Sequence, residues 1–291
     1  MNASQRPRRL DPIRPGRISL VLAVCLAGLS GLGQSKSSPF LQDVVEISRT
    51  NLTAALVLCA KAISEEPTNA RPLLLRARLY DRSRHYEEGV RDLTVALKLA
   101  PNSPEIWQER GEQNFKAGHF KESVADFDRV LTLAPSRAPY HWQRGISLYY
   151  AGRFADGCRQ FELHQTVNPN DVENAAWHFL CTARESSVTN ARATMLKAGR
   201  DGRVPMQEID DLYRGTGSIE RVLEAARHGA NEANGKDAMF YAHLYLGLYF
   251  DALGEAGSAR EHIAKAAGEF SSEHYMGDVA RAHLRLLGSG R

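Results

Sequence analysis

A fixed spacing of prolines is the feature that most constrains the fold of this chain. Four prolines follow one another at intervals of 34 residues, at Pro67, Pro101, Pro135 and Pro169. Glycine and phenylalanine recur with the same period, as Gly111 and Gly145, Gly118 and Gly152, Phe120 and Phe154, and Phe127 and Phe161. Such a period indicates stacked units that bury a continuous apolar core only together. We therefore expect a solenoid whose function is carried by a surface and not by a catalytic motif.

The middle units have the sequence pattern of two amphipathic helices. In the unit 104–137 the helices are expected at about Pro104–Ala117 and Lys121–Ala134, because apolar residues recur there with the helical period. Gly111 lies inside the first helix, where glycine costs roughly 1 kcal/mol against alanine. We expect this glycine to let the paired helix approach closely. Pro135 then ends the second helix.

These residues resemble the tetratricopeptide-repeat (TPR) family, whose pattern combines an aromatic residue, a leucine–glycine pair, small residues and a closing proline. The resemblance implies an all-α fold, an α-α superhelical solenoid of helix-turn-helix units with a capping C-terminal helix. The assigned parts are a partial unit at 34–69, three regular units at 70–171, degenerate helical units at 172–239, and a final unit with the capping helix at 240–291.

Helices are still predicted where the period breaks. The expected segments are Val172–Arg184, Met206–Tyr213, Ile219–His228 and the closing helix Glu273–Leu287, with a polar loop at Asn231–Lys236.

The N-terminal residues 1–33 have the pattern of a secretory signal peptide. Five arginines precede the apolar run Ile18–Leu29, which is too short for an ordinary membrane span, and small residues follow it. We expect export to the periplasm or cell envelope. The alternative is an uncleaved segment that anchors the chain in the membrane. Cys25 follows Val24, which fits a lipid-anchor cysteine poorly, so lipidation is not expected.

The charge of the remaining chain argues against binding to nucleic acid. The whole chain has a net charge of +3, but residues 1–33 hold five Arg and one Asp. The rest has 32 basic and 33 acidic residues, which leaves no basic surface for nucleic acid.

Cys59, Cys158 and Cys181 have no metal-ligand spacing and are expected as buried thiols. The alternative is a disulfide between Cys158 and Cys181 in an oxidising compartment.

The sequence has none of the familiar catalytic patterns. It contains no HExxH spacing, no glycine-rich loop after a strand and no Gly-x-Ser-x-Gly elbow. We therefore expect no enzyme, no cofactor and no metal site.

Asp126 and Asp128 flank Phe127 and are expected on the outer face. Packed histidines are expected at interface positions, namely His141, His164, His178 and His243.

The order of the parts is similar to that of the NlpI-type TPR lipoproteins of bacterial envelopes, over roughly residues 36–288. The stretches that carry this likeness are Asn174–Leu180, Ile209–Gly215 with Ile219–Ala226, and Phe240–Tyr249 with Ala259–Ala267. The resemblance implies a dimeric adaptor that brings a processing protease and peptidoglycan-cutting enzymes together. The alternative is a scaffold of an outer-membrane, pilus or secretion assembly. Expected partners are other proteins or extended peptide tails, with membrane association only through the N-terminal segment.

The resemblance also implies a groove lined by the first helix of each unit. In this chain the expected partner-binding residues are Arg71, Arg78, Arg82, Gln108, Glu112, Phe115, Trp142, Ile146, Tyr149 and Tyr150. Arginine and aromatic side chains are common hot spots of interfaces, and this lining suits a tail with apolar and acidic residues. The alternative for Trp142 and Tyr149 is packing beneath the next repeat. The recurring Arg76, Arg110 and Arg144 are expected to pair with acids of neighbouring helices.

Overall fold

The fold was analysed in a computed structural model, which describes residues 44, 46–48, 50–230 and 236–289, with the backbone alone at residue 236. The predicted signal peptide, Cys25 and residues 231–235 of the predicted loop lie outside the described residues. The described part of the chain is helical and contains no strand. None of its helices has the length and apolar character that crossing a bilayer requires.

The helices follow one another through short connections. They are α1 (Leu52–Glu65), α2 (Ala70–Arg82), α3 (Tyr86–Leu99), α4 (Pro104–Ala117), α5 (Phe120–Leu133), α6 (Trp142–Tyr150), α7 (Phe154–Gln165), α8 (Val172–Glu185), α9 (Val188–Thr194), α10 (Met206–Arg214), α11 (Ile219–Ala230), α12 (Lys236–Ala252), α13 (Ala256–Ala267) and α14 (Tyr275–Gly288). A 3-10 helix, Pro135–Tyr140, precedes α6. The short helix α9 was not predicted from the sequence.

Consecutive helices pack as antiparallel pairs, and each pair stacks on the next. Glycine makes the close contacts within the pairs, as predicted. A β-carbon added at Gly111 would lie 2.6 Å from Phe127 Cε1, and one at Gly145 would lie 2.6 Å from Phe161 Cζ. Gly118, with a φ of 95°, ends α4 in the left-handed conformation that glycine adopts without strain.

Arginine–aspartate pairs join neighbouring helices, two of them within a unit and the third between α6 and α5 of the preceding unit. Arg76 holds Asp92 through two hydrogen bonds of 2.7 Å, and Arg110 holds Asp126 at 3.0 and 2.6 Å. Arg144 bonds Asp128 at 2.7 Å. The predicted pairing of these arginines is confirmed. The prediction that Asp126 lies on the outer face is wrong, because the residue is 2% exposed and its carboxylate is turned inward to Arg110.

Helix α8 lies at the centre of the largest apolar core. It packs against α7, α9, α10 and α12, and ten of its fourteen residues are buried. The predicted packing of the interface histidines is confirmed, since His141, His164, His178 and His243 are all buried. Cys158 and Cys181 are free thiols, although each lies close enough to influence the other's ionisation.

The closing helix α14 has a second contact besides the expected one. It packs on α13, as a terminal cap does, and it also contacts α4. An end cap was predicted from the sequence, whereas the return of this helix to the early units was not.

Candidate binding site on the inner face

The first helices of four successive units, α2, α4, α6 and α8, form a surface that we call the inner face. Helix α14 lies against it. The ring of Tyr275 in α14 stacks on Phe115 with centroids 5.4 Å apart and meets Trp142 edge-on at 5.2 Å. The Tyr150 hydroxyl lies 3.0 Å from His283 Nδ1. The inner face therefore holds a helix of its own chain.

Charged groups reinforce this contact. The Tyr86 hydroxyl donates a hydrogen bond of 2.9 Å to Asp278 of α14. Lys116 Nζ lies 2.7 Å from Asp81 and 3.6 Å from Asp278. Although burial opposes the charge of Lys116, the two carboxylates raise its pKa, so the ammonium stays charged. Burial and the Asp278 carboxylate together raise the pKa of Tyr86 to about 12.

The predicted aromatic residues of the groove occupy different places. Phe115 and Tyr149 are buried, whereas Trp142 and Tyr150 are partly exposed. Tyr149 packs against Phe154 and Trp177, with ring centroids 5.6 and 5.5 Å away. Its place is thus beneath the following unit, which was the alternative considered for it. Phe115, Trp142 and Tyr150 contact α14.

The predicted polar residues of the groove are engaged within the fold. Arg78 forms a two-pronged ion pair with Glu109, with its Nε 3.1 and 3.0 Å from the two carboxylate oxygens. Glu112 accepts hydrogen bonds from Gln108 at 2.8 Å and Gln143 at 2.9 Å, and burial raises its pKa. Arg82 donates to Ser48, and Arg71 is half-buried in the first turn of α2.

Next to α14, the inner face retains a cavity of about 350 Å³. It lies between α6, α7, α8 and α12 and the start of α14. Its apolar wall contains the predicted Trp142 and Ile146, and its polar wall comes from the start of α8. This volume is within the range of small-ligand pockets. The other lining residues were not predicted for the groove, and among them are Glu173, Asn174, Trp177 and Tyr241.

A cluster of three carboxylates around one arginine borders this cavity. Arg203 bonds Asp171 at 2.8 Å and Asp201 at 2.6 Å, and it also contacts Glu173. The Tyr245 hydroxyl donates a hydrogen bond of 2.6 Å to Glu173. Burial raises the pKa of Glu173, and the nearby Arg203 opposes this effect. The described residues contain no group of three His, Cys, Asp or Glu side chains that could hold a metal ion.

One signal in the sequence could have led to Glu173. It lies three periods of 34 residues after Arg71, a first-helix position that is predicted for the groove. Extending the period by one unit thus reaches α8. Tyr241 could not be found in this way, because it comes from α12, which follows the break in the period.

Comparison with known proteins supports the fold. No protein-family model matches the chain, and no curated protein matches it. A solved structure of a tetratricopeptide-repeat protein from Parabacteroides merdae is 15% identical, with a TM-score of 0.55, and the match covers 86% of this chain and 97% of that one.

Two further solved structures match less well. The C-terminal part of a TPR repeat-containing protein from Cytophaga hutchinsonii is 12% identical, with a TM-score of 0.45, covering 82% of this chain and 98% of that one. YrrB, described as a TPR protein with an unusual peptide-binding site, is 17% identical with a TM-score of 0.40, covering 78% and 98%. Paired helices and the Parabacteroides match together show that this chain has the TPR fold.

Proposed function

We propose that this chain is an exported, non-catalytic scaffold that binds other proteins through its inner face. The observation that carries the proposal is the seat of α14 on that face. Phe115, Trp142 and Tyr150 contact a helix of the chain itself, so the face has the chemistry needed to bind polypeptide. The cavity beside α14 leaves part of the face available to a partner.

The narrower role rests on the resemblance to the NlpI-type lipoproteins. We propose that the scaffold works in the cell envelope, where it brings a processing protease and peptidoglycan-cutting enzymes together, as a homodimer. The pattern of residues 1–33 supports export, because an arginine-rich segment followed by a short apolar run is typical of signal peptides.

Site-specific photo-crosslinking in cells of the source organism tests the scaffold. A photoreactive phenylalanine replaces Asn168, which is exposed at the rim of the cavity. The matched control replaces Val95, which is 44% exposed on α3, a second helix of its unit. We expect defined protein adducts from position 168 and none from position 95.

Mass spectrometry of the adducts distinguishes the possible roles. A protease or a peptidoglycan hydrolase supports the envelope adaptor. Adducts with components of an outer-membrane, pilus or secretion assembly would support a scaffold with the alternative role. Equal adducts from both positions, or none from position 168, contradict binding through the inner face.

Cell fractionation tests export. A full-length chain with a C-terminal tag is expected in the envelope fraction, shortened by the mass of the signal segment. A variant without residues 1–33 is expected to stay in the cytoplasm. Retention of the full-length chain in the cytoplasm would refute the proposed location without affecting the binding of proteins.

A further inference from the structure

Two buried polar atoms on α8 have no hydrogen-bond partner. Asn174 and Trp177 are each 2% exposed, yet Asn174 Oδ1 and Trp177 Nε1 bond to nothing. Leaving such atoms unpaired is unfavourable, because each has lost its hydrogen bonds to water on burial. Both residues line the cavity of the inner face, three positions apart and thus on one side of the helix. A ligand in the cavity is therefore the natural source of their missing partners.

The two atoms have opposite hydrogen-bonding roles. The indole nitrogen of Trp177 only donates, and the amide oxygen of Asn174 only accepts. The amide nitrogen of Asn174 is already engaged, because it donates to the Phe161 carbonyl at 3.1 Å and to Gln165 at 3.0 Å. A peptide bond offers the matching pair, namely a carbonyl acceptor and an N–H donor. These atoms thus favour a stretch of polypeptide backbone.

The carboxylates beside the cavity favour a ligand with a cationic side chain. Asp171, Glu173 and Asp201 share the single guanidinium of Arg203, so the cluster carries an excess of negative charge. The neighbouring imidazole of His164 lies 3.9 Å from Asp171. A cationic side chain would therefore complement these carboxylates.

Aromatic rings complete the site. The rings of Trp142, Trp177 and Tyr241 line the cavity. Arg203 already lies over the Tyr241 ring, with its guanidinium carbon 5.7 Å from the centroid, so this wall accepts a cation. Aromatic faces next to carboxylates are the chemistry by which proteins hold ammonium and guanidinium groups.

We propose that this cavity binds a lysine or arginine side chain presented by an extended peptide segment of a partner. The backbone of the segment pairs with Asn174 and Trp177, and its cation is held by Glu173 and the aromatic wall. This inference rests on the proposed function, since it names the kind of segment that the scaffold recognises. It replaces the acidic tail expected from the sequence, because Arg78 is paired with Glu109 and three carboxylates share Arg203.

The chain provides its own reporters for a test by nuclear magnetic resonance. It contains three tryptophans, and their indole N–H signals are assigned by Trp→Phe replacement. Acetyl-Gly-Lys-Gly-amide is titrated into the full mature chain. We expect the signals of Trp142 and Trp177 to shift. The signal of Trp107 should stay unchanged, because its nitrogen is bonded to the Pro101 carbonyl, away from the cavity.

Two further peptides separate the contributions. A norleucine peptide keeps the length and loses the charge, and we expect its affinity to be at least about tenfold lower. A glutamate peptide is expected to cause no shift. Equal shifts with the norleucine peptide would show that the cavity binds apolar side chains without regard to charge. Binding of the glutamate peptide alone would show that Arg203 binds an anion. Either result overturns the proposal, as does the absence of any shift with lysine.

Variants locate the site. Glu173→Gln is expected to weaken the binding of the lysine peptide about tenfold, because a charge-assisted hydrogen bond is lost. Glu185→Gln, on the same helix and exposed, is the matched control and is expected to leave the affinity unchanged. Trp177→Phe keeps an aromatic ring, although a smaller one, and removes the indole donor, so we expect weaker binding of the lysine peptide, read from the Trp142 signal, even where Glu173→Gln destabilises the fold.

The crosslinking experiment keeps the two proposals apart. If Glu173→Gln leaves the adducts from position 168 unchanged, the scaffold stands and the basic-segment site is refuted. If no adducts form but the lysine peptide still shifts Trp177, the site stands and the scaffold role is refuted.

Discussion

The substitution Gly145→Ala tests the packing that gives the repeat its period. It adds one β-carbon, which would lie 2.6 Å from Phe161 Cζ and 2.8 Å from Cε1. Carbon atoms prefer separations of about 3.5–4.0 Å, so the ring or the helix has to move by roughly 1 Å. Phe161 is 1% exposed, and its ring stacks on Trp177 with an interplanar angle of 18°. Burial and this stacking therefore limit how far the ring can turn.

Two effects of opposite sign decide the outcome. Alanine favours a helix over glycine by roughly 1 kcal/mol. Overpacking a well-packed core costs about 1–3 kcal/mol. We expect the second effect to prevail, with a net loss of about 1 kcal/mol in the free energy of unfolding. For a domain of this size the melting temperature should fall by about 2–4 °C. Gly145→Leu should lose considerably more, because the whole side chain meets the same ring.

Urea denaturation followed by far-ultraviolet circular dichroism measures the effect. The matched control is Gly257→Ala, since Gly257 also lies in a helix but has no atom within 4 Å of an added β-carbon. There the gain in helix propensity acts alone, and stability should rise by up to roughly 1 kcal/mol. Gly111→Ala, whose β-carbon would meet Phe127 at 2.6 Å, should behave like Gly145→Ala.

A double-mutant cycle with Phe161→Leu assigns the cause. If the ring is what the new methyl group meets, shortening it should relieve the clash, and the two changes should couple by about 1 kcal/mol. Unchanged or increased stability of Gly145→Ala would refute the reasoning. If the changes in the free energy of unfolding caused by Gly145→Ala and Phe161→Leu simply add, the loss of stability has a cause other than contact with this ring.

Three further predictions concern charge and reactivity. Asp278→Asn should lower the free energy of unfolding by about 2 kcal/mol in urea denaturation, because Tyr86 and Arg281 lose a charged acceptor and Lys116 keeps only Asp81 as a carboxylate partner. Burial lowers the pKa of His141 and His243 to about 4 from 6.5, so the unfolded chain binds protons first. Stability should therefore be complete above pH 6.5 and fall progressively towards pH 4, as urea midpoints would show. The Cys158 pKa, lowered to about 7 chiefly by a hydrogen bond from Cys181, should make this thiol react first with iodoacetamide at neutral pH, as peptide mass spectrometry would show.

The parts of the fold that follow from local periodicity could be predicted. The 34-residue period specifies helix pairs, and glycine inside a helix indicates that another helix approaches it, as the Gly111–Phe127 contact confirms. The arginines at 76, 110 and 144 could be assigned to ion pairs because they recur at one position of the repeat, whereas the acid that each one contacts was not predicted.

Asp126 shows why the same logic fails when it is applied to one helix alone. Its neighbour Phe127 faces the core, so the helical period places Asp126 to one side of the buried stripe. Whether that side is exposed depends on the preceding helix, and Arg110 and Asn114 of α4 cover it. The helical period predicts the direction in which a side chain points, whereas its burial depends on which neighbouring residues lie there.

The groove shows a similar limit. The period places Phe115, Trp142 and Tyr150 on one face, and the structure brings all three to α14. Nothing in the local pattern of α14 shows that it lies on that face, because an end cap and a groove ligand require the same amphipathic helix. The cavity depends on the same long-range placement, so it could not be predicted.

The return of α14 to the early units has a consequence for how the repeats behave as a set. In an open array each unit contacts only its neighbours, so units fray from the ends and copies can be gained or lost singly. Here Tyr86 and Asp278 are bonded across 192 positions of the chain, and Arg84 and Glu273 across 189. These contacts bind the early and late units into one cooperative whole. A single inserted or deleted copy would carry α14 out of register with its seat, so the number of repeats between them is set by geometry.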